Sequence, residues 1–344
     1  MRYRPLGDTG IDVSVICLGT MTWGEQNTRD EGFAQMDHAL AHGINFFDTA
    51  EMYPVDVRPE TYGHTEIIIG EWLSERQCRN DVVLASKVCG PGRHHIRGGD
   101  CRFTRETIHT ACEDSLKRLR TDYLDLYQLH WPDRGWTDFK DLGQTEEIED
   151  VGADRTETLA ALDELVQAGK IRSWGLSNES AWGTMDFVAR ADAAGVARPA
   201  SIQNAYSLLN RKFELALAEV ALRERVGLLA YAPVAAGVLT GKYLDDARPP
   251  GARNTLWPSN TRYFSEQAKS ATRAYVDLAA ECGISPEVLA HAFVLTRPFL
   301  TASIVGATQI RHLDRALEAL NFEIDAELQS RLEALHREYL VPAP

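Results

Sequence analysis

Eight short apolar runs recur along the chain: Val15–Gly19, Asn45–Asp48, Val82–Lys87, Tyr123–His130, Ile171–Asn178, Ala200–Asn204, Gly227–Tyr231 and Ala302–Gly306. Between them, apolar residues fall at helical spacing, for example over Phe33–His42, Thr104–Leu119, Thr156–Ala168, Ala181–Ala193 and Phe213–Arg223. Continuous rather than alternating apolar character is what a strand buried on both faces requires. Repeated strand-then-helix order therefore predicts an α/β fold, a (β/α)8 TIM barrel. Ahead of the first run, Gly7-Asp-Thr-Gly10 separates two extended pieces of Tyr3–Val15 and predicts a β-hairpin capping the barrel bottom. The connections Cys89–Phe103, Trp131–Arg155 and Ala235–Phe264 are long. They follow strands three, four and seven, on one face, and should wall a pocket. Without a linker, repeat or low-complexity tract, residues 1–344 read as a single domain.

Composition acts mainly by exclusion. Lys and Arg number 36 against 50 Asp and Glu, a formal charge of -14, which repels nucleic-acid backbones and anionic lipid. The N-terminus has no signal-like apolar region, and no run approaches the roughly 18 apolar residues of a membrane span. A cytoplasmic location is expected. Cys17, Cys78, Cys89, Cys101, Cys112 and Cys282 lack metal-type spacing and read as reduced, structural thiols.

Barrel chemistry belongs at the C-terminal ends of strands. Strand two ends in Asp48-Thr-Ala-Glu-Met-Tyr53, strand three in Lys87 and strand four in His130. Neighbouring strands lie about 5 Å apart, so Asp48 and Lys87 should pair. Tyr53 then folds back over them, and a nearby ammonium lowers a phenol's pKa, making Tyr53 a general acid. His130 would orient a substrate oxygen. Each residue alone has a bland reading as a turn, a surface charge or packing; their placement on successive strand ends favours function.

Neither G-x-G-x-x-G nor a P-loop pattern is present, so a nucleotide would bind at the barrel mouth. Ser177, Asn178 and Gln203 suit a nicotinamide carboxamide, and Tyr231 could stack on the ring. Gly306-Ala307-Thr308 is expected to open a helix whose N-terminus receives phosphate, with Thr308, His312 and Arg315 on one face as a 2′-phosphate clamp. His94, His95 and Cys101 fit no usual zinc spacing, and no metal is expected.

Leu18-Gly-Thr-Met-Thr-Trp-Gly-Glu-Gln-Asn27, Asp48-Thr-Ala-Glu-Met-Tyr-Pro54, Gly175-Leu-Ser-Asn-Glu179, Tyr206-Ser-Leu-Leu-Asn-Arg211 and Leu239-Thr-Gly-Lys-Tyr243 together resemble the aldo-keto reductase superfamily, in its Tas-like bacterial branch. The resemblance covers nearly the whole chain. It implies a catalytic tetrad of Asp48, Tyr53, Lys87 and His130, and NADP(H), with NAD(H) as an alternative, as cofactor. Further implied cofactor contacts are Gly19, Thr20 and Met21 after strand one, and Ala232, Pro233, Val234, Ala236, Gly237, Gly241 and Lys242 after strand seven. Trp23 and Trp131 join Tyr53 and His130 as substrate contacts, and Trp136 and Trp257 are candidates for the same aromatic lining. The sequence departs from the branch at His312 and Ala316, which leaves NADP against NAD open.

A reversible carbonyl reductase acting on a small aldehyde, ketone or sugar follows. Rival readings are an NADP(H)-binding redox sensor with little turnover and a Schiff-base lyase using Lys87, the latter opposed by Asp48, which keeps a lysine charged. Asp138, Asp141, Glu146, Glu147, Glu149 and Asp150 read as a solvated face. Bordering the pocket, they would disfavour phosphorylated or carboxylated substrates.

Overall fold

The computed structural model describes residues 1–99, 101–135, 152–259 and 261–344. Strands β1 (Tyr3–Pro5) and β2 (Asp12–Ser14) form an antiparallel hairpin with Tyr3 opposite Ser14. Eight parallel strands then follow: β3 (Ile16–Gly19), β4 (Phe46–Asp48), β5 (Val83–Val88), β6 (Leu126–Leu129), β7 (Trp174–Ser177), β8 (Ser201–Ala205), β9 (Gly227–Tyr231) and β10 (Leu300–Gly306). They pair in chain order, and β10 closes on β3 to complete the barrel.

Helices α1 (Arg29–Ala41), α2 (His64–Arg76), α3 (Arg105–Leu119), α4 (Arg155–Gln167), α5 (Ala181–Ala194) and α6 (Leu217–Glu224) surround the first strands. The remainder are α7 (Arg253–Leu256), α8 (Glu266–Glu281), α9 (Pro286–Leu295), α10 (Ile310–Ala319) and α11 (Ala326–Glu338). Their starts follow from capping: Thr28 and Glu31 form a reciprocal box on α1, and Thr104, Ser180, Ser265 and Ser285 cap α3, α5, α8 and α9. The periodicity over Phe213–Arg223 resolves into a 3₁₀ turn at Lys212–Leu215 and α6, because Ala216, at φ −146°, ψ −44°, leaves the helical basin between them. Among the described residues, no single helix is long and apolar enough to cross a membrane.

Strand alternation sorts side chains into two cores. Outward residues such as Leu18, Phe47, Leu84, Tyr127, Trp174, Leu176 and Ile202 pack under the helices. Inward, Cys17, Phe46, Ala85, Leu126, Leu229 and Ala302 fill the lower barrel, and Leu6, Ile11 and Val13 of the hairpin region join them as a plug. Gly7, at φ +55°, lies so close to the Ala200 backbone that a Cβ would overlap it, so glycine permits the plug to seat. Two residues beyond Phe46, Ala85 and Leu126, the same inward parity delivers Asp48, Lys87 and Gln128 one layer higher. Period-two geometry thus lifts polar side chains onto an apolar floor.

Candidate active site

Lys87 lies fully buried and donates from Nζ to Asp48 Oδ2 at 2.6 Å and to the Thr49 carbonyl at 2.8 Å. The other Asp48 oxygen accepts from Gln128 Nε2 at 3.1 Å and Gln203 Nε2 at 2.9 Å, while Gln203 Nε2 also reaches Gln128 Oε1 at 3.0 Å. A buried ion pair persists only when its remaining hydrogen-bonding capacity is met, and these two amides meet it. Burial pulls the Lys87 pKa down, but Asp48 outweighs it and holds the ammonium above its ordinary value.

Tyr53 and His130 cover this pair. The Tyr53 ring centroid lies 5.1 Å from Lys87 Nζ and 5.8 Å from the His130 ring, edge-on to the latter. Lowering of the phenol pKa was expected from Lys87; instead burial pushes Tyr53 above its usual value, with Lys87 opposing and Asp48 adding to the rise. Desolvation of a residue only 9% exposed outweighs the lowering pull of Lys87 and Arg253. His130 is held well below the usual imidazole range by burial and by the Lys87 and Arg93 charges, so it is neutral at pH 7. Among the described residues its Nδ1 is buried without a partner.

Behind Tyr53, a second polar cluster fixes the loops that carry it. Fully buried Glu51 pairs with Arg97 and accepts from the Cys89 amide, while Glu66 accepts from Ser86 and pairs with Arg118 at 2.7 Å. Trp131 is positioned by its Nε1 bond to the Pro91 carbonyl at 3.1 Å, and a Cβ on Gly90 would overlap its ring.

The tetrad residues Asp48, Tyr53 and His130 line one wide cavity of about 890 Å³, within the range of small-molecule and cofactor sites. Gly19, Thr20, Met21, Ser177, Asn178, Gln203 and Tyr231 line it too, as do Ala232, Pro233, Val234, Ala236, Gly237 and Lys242. Gly306, Thr308, His312 and Arg315 also line it. Asn178 is already a bridge: its Nδ2 donates to the His130 carbonyl at 2.9 Å and to Ser177 Oγ, and its Oδ1 accepts from Tyr231 OH at 2.8 Å. Gln26 Nε2 reaches the Gly251 carbonyl and Asn27 Nδ2 the Thr308 carbonyl, so the loop after β3 touches both connections opposite it.

Several sequence expectations are corrected. Trp23 does not reach the cavity; it is fully buried, bonds Gln35 through Nε1 and packs on Gly32 of α1. Trp257 is likewise absent from the lining, whereas Trp131 is present. Ala307 packs in the core, and Gly241 is a left-handed turn at φ 78° that delivers Lys242 rather than lining the cavity itself. The helix after β10 starts at Ile310 with Gln309 as N-cap, not at Thr308. The Thr308 amide is spent on His312 Nδ1 at 3.2 Å, Arg315 pairs with Glu318, and Ala316 is buried in the core. His312 thus accepts at Nδ1 and, when neutral, carries its proton on Nε2.

Trp136 and the acidic residues Asp138, Asp141, Glu146, Glu147, Glu149 and Asp150 lie outside the described residues. Among the described residues no group of three His, Cys, Asp or Glu could hold a metal, His94, His95 and Cys101 included. Among the described residues, none of the six cysteines is in a disulfide.

Three residues were not singled out by the sequence. Gln128 and Glu51 had a signal, since Gln128 shares strand parity with His130 and Glu51 follows Asp48 within one motif. Arg253, on the short α7, had none: it stands in an aperiodic loop, yet its guanidinium lines the cavity with Nη1 3.6 Å from Met21 Sδ. Among the described residues neither Arg253 nor Lys242 Nζ has a carboxylate partner.

His291 of α9 also borders the cavity. Burial, assisted by His312, pushes its pKa from 6.5 to about 4. Between these values the unfolded chain binds more protons than the native one, so stability falls as pH drops from 6.5 towards 4, by up to about 3 kcal/mol. His291→Leu is expected to flatten the dependence of Tm on pH across that window; an unchanged slope would remove His291 from the acid response.

The Aldo/keto reductase family profile matches residues 15–337. The chain belongs to the aldo/keto reductase family. It is 46% identical to "Protein tas" of Escherichia coli (strain K12) over the full length of both chains. It is 41% identical to an "Aldo-keto reductase" of Babesia bovis, covering 67% of this chain and 87% of that one. It is also 33% identical to "Uncharacterized oxidoreductase YrpG" of Bacillus subtilis (strain 168), covering 95% and 94%. As an aldo/keto reductase, the chain carries its polar strand ends at the mouth where this family of oxidoreductases takes small-molecule substrates.

Proposed function

We propose that the protein is an NADP(H)-dependent carbonyl reductase that interconverts a small aldehyde, ketone or sugar and its alcohol. The observation that carries this reading is the buried Asp48–Lys87 pair beneath Tyr53 and a neutral His130, on the floor of a cavity that continues to unpaired cations. The cavity fits a dinucleotide. Among the described residues, His130 Nδ1 is an orphaned polar atom of a cavity-lining residue, Lys242 and Arg253 have no carboxylate partner, and Gly237, at φ +86°, seats its backbone close against the Lys242 side chain, 3.0 Å from Nζ to where a Cβ would lie.

NADP(H), when bound, supplies or accepts the hydride. Ser177, Asn178 and Gln203 would hold its carboxamide, Tyr231 its ring, and Lys242, Arg253, His312 and Arg315 its phosphates. Tyr53 gives its proton to the carbonyl oxygen as negative charge develops there, and Lys87 stabilises the phenolate left behind. Neutral His130 orients that oxygen without contributing a charge. Asp48, held by Gln128 and Gln203, keeps Lys87 protonated and in place. A Schiff-base role for Lys87 is disfavoured, because its ammonium is buried, paired and held above its ordinary pKa.

Fluorescence titration with NADPH and NADH, then cofactor oxidation with a carbonyl panel, tests the proposal. Lys242→Ala is expected to raise the NADPH Kd by about 10-fold or more, the worth of one charge-assisted contact, and the NADH Kd by less. No binding of either cofactor overturns the reading. Tight binding without turnover of any carbonyl favours the sensor role instead.

A further inference from the structure

Among the described residues, four carboxylates at the substrate half of the mouth are each paired with a cation. Asp48 pairs with Lys87, Glu51 with Arg97, Glu179 with Arg134, and Asp133 with Arg102. Arg93 is left over. It lines the cavity beside Pro91, Gly92, His130 and Trp131, and among the described residues it has no carboxylate partner. Its guanidinium carbon lies 5.8 Å from the Trp131 ring centroid, and that ring lies 4.9 Å from the His130 ring. Its charge reaches His130 strongly enough to help depress that imidazole's pKa.

Nor is the Arg93 segment loosely placed. Its carbonyl accepts from the Ile96 amide at 3.1 Å and from Cys101 Sγ at 3.7 Å, and the preceding Pro91 carbonyl is bonded to Trp131. The Trp131 indole thus neighbours both the His130 imidazole and an uncompensated planar cation. A guanidinium presents parallel N–H donors that match a carboxylate, and the neighbouring aromatic face favours a flat or short apolar spacer. A chain of formal charge -14 repels anions at long range, so a local excess cation at the mouth matters for admitting one.

We infer that Arg93 is a specificity residue for the carboxylate of a carbonyl substrate, so that the favoured substrate class is the carboxylated aldehyde or ketone. This rests on the reductase reading and deepens it. It runs against the expectation that an acidic mouth disfavours carboxylated substrates; that expectation depends on residues 138–150, outside the described residues.

The test compares 4-carboxybenzaldehyde with uncharged benzaldehyde in the full-length wild type and in Arg93→Gln and Arg93→Glu. The wild type is expected to prefer the carboxylated aldehyde in kcat/KM. The ratio of the two should fall by about 10-fold or more in Arg93→Gln, the equivalent of one charge-assisted hydrogen bond. It should fall further in Arg93→Glu, with the change mainly in KM. An equal loss on both aldehydes, or no wild-type preference, overturns the proposal while leaving the reductase reading standing. Failure to turn over any carbonyl overturns the reductase reading instead. Calorimetric titration with non-reducible benzene-1,4-dicarboxylate, with and without NADP+, then decides the anion site alone. Binding weakened by charge reversal supports it, and equal or absent binding sinks it.

Discussion

Tyr53→Phe is expected to lower kcat/KM for carbonyl reduction by about 10²- to 10⁴-fold, the usual contribution of a positioned proton donor, while NADPH still binds. The ring remains, so packing against His130 and the Lys87 ammonium is kept and only the hydroxyl is lost. Direction of reaction provides a second signature. Burial raises the Tyr53 pKa against the opposing pull of Lys87, so the phenol stays protonated through neutral pH. Reduction, which uses the protonated form, should then be flat from about pH 6 to 8, whereas alcohol oxidation, which needs the phenolate, should rise with pH; the reference phenol pKa near about 10 sets the scale. His130 adds no break near pH 6.5, because it is already neutral there. A Tyr53→Phe enzyme with near-normal turnover would remove the phenol from the chemistry.

Lys87→Met should abolish turnover and also destabilise the fold by about 3–5 kcal/mol, because it leaves Asp48 charged, buried and unpaired. The Asp48 oxygens would still receive the Gln128 and Gln203 amides, which soften the loss without replacing an ammonium at 2.6 Å. The informative comparison is the double variant Asp48→Asn/Lys87→Met, which removes both charges together. Urea denaturation should show much of the stability restored, with activity still absent. A double variant as unstable as Lys87→Met, or one that regains turnover, would contradict the assigned roles.

Much of the barrel was readable in the sequence because parallel strands buried on both faces must be continuously apolar, and most are followed by a helix opened by a Thr, Ser or Asp cap. The polar strand ends were readable for the complementary reason: Asp48, Lys87 and His130 stand at the C-terminal ends of mainly apolar runs. Trp23 misled because an aromatic beside a strand end looks like pocket lining, whereas the turn after Gly19 directs it back towards Gln35. Thr308 was expected to open the last barrel helix, but its amide is taken by His312 and the helix begins two residues later. Gln128 was hidden inside an apolar run that was read as a block rather than position by position. Arg93 and Arg253 lie in long connections, where neither period two nor period 3.6 indicates where a side chain goes; only tertiary closure does.

The amide layer beneath the mouth carries a consequence for assembly. Asp48 and Gln203 are 155 positions apart, and Asp48 and Gln128 are 80 apart. Loop closure over such separations is slow, and local contacts form first. Strands β4, β5 and β6 can bring Asp48, Lys87 and Gln128 side by side early, yet the last amide arrives only when β8 is in place. On dilution from denaturant, helical ellipticity should return well before catalytic competence. Regained turnover then reports the arrival of β8 beside the early strands, a contact that no local segment can supply.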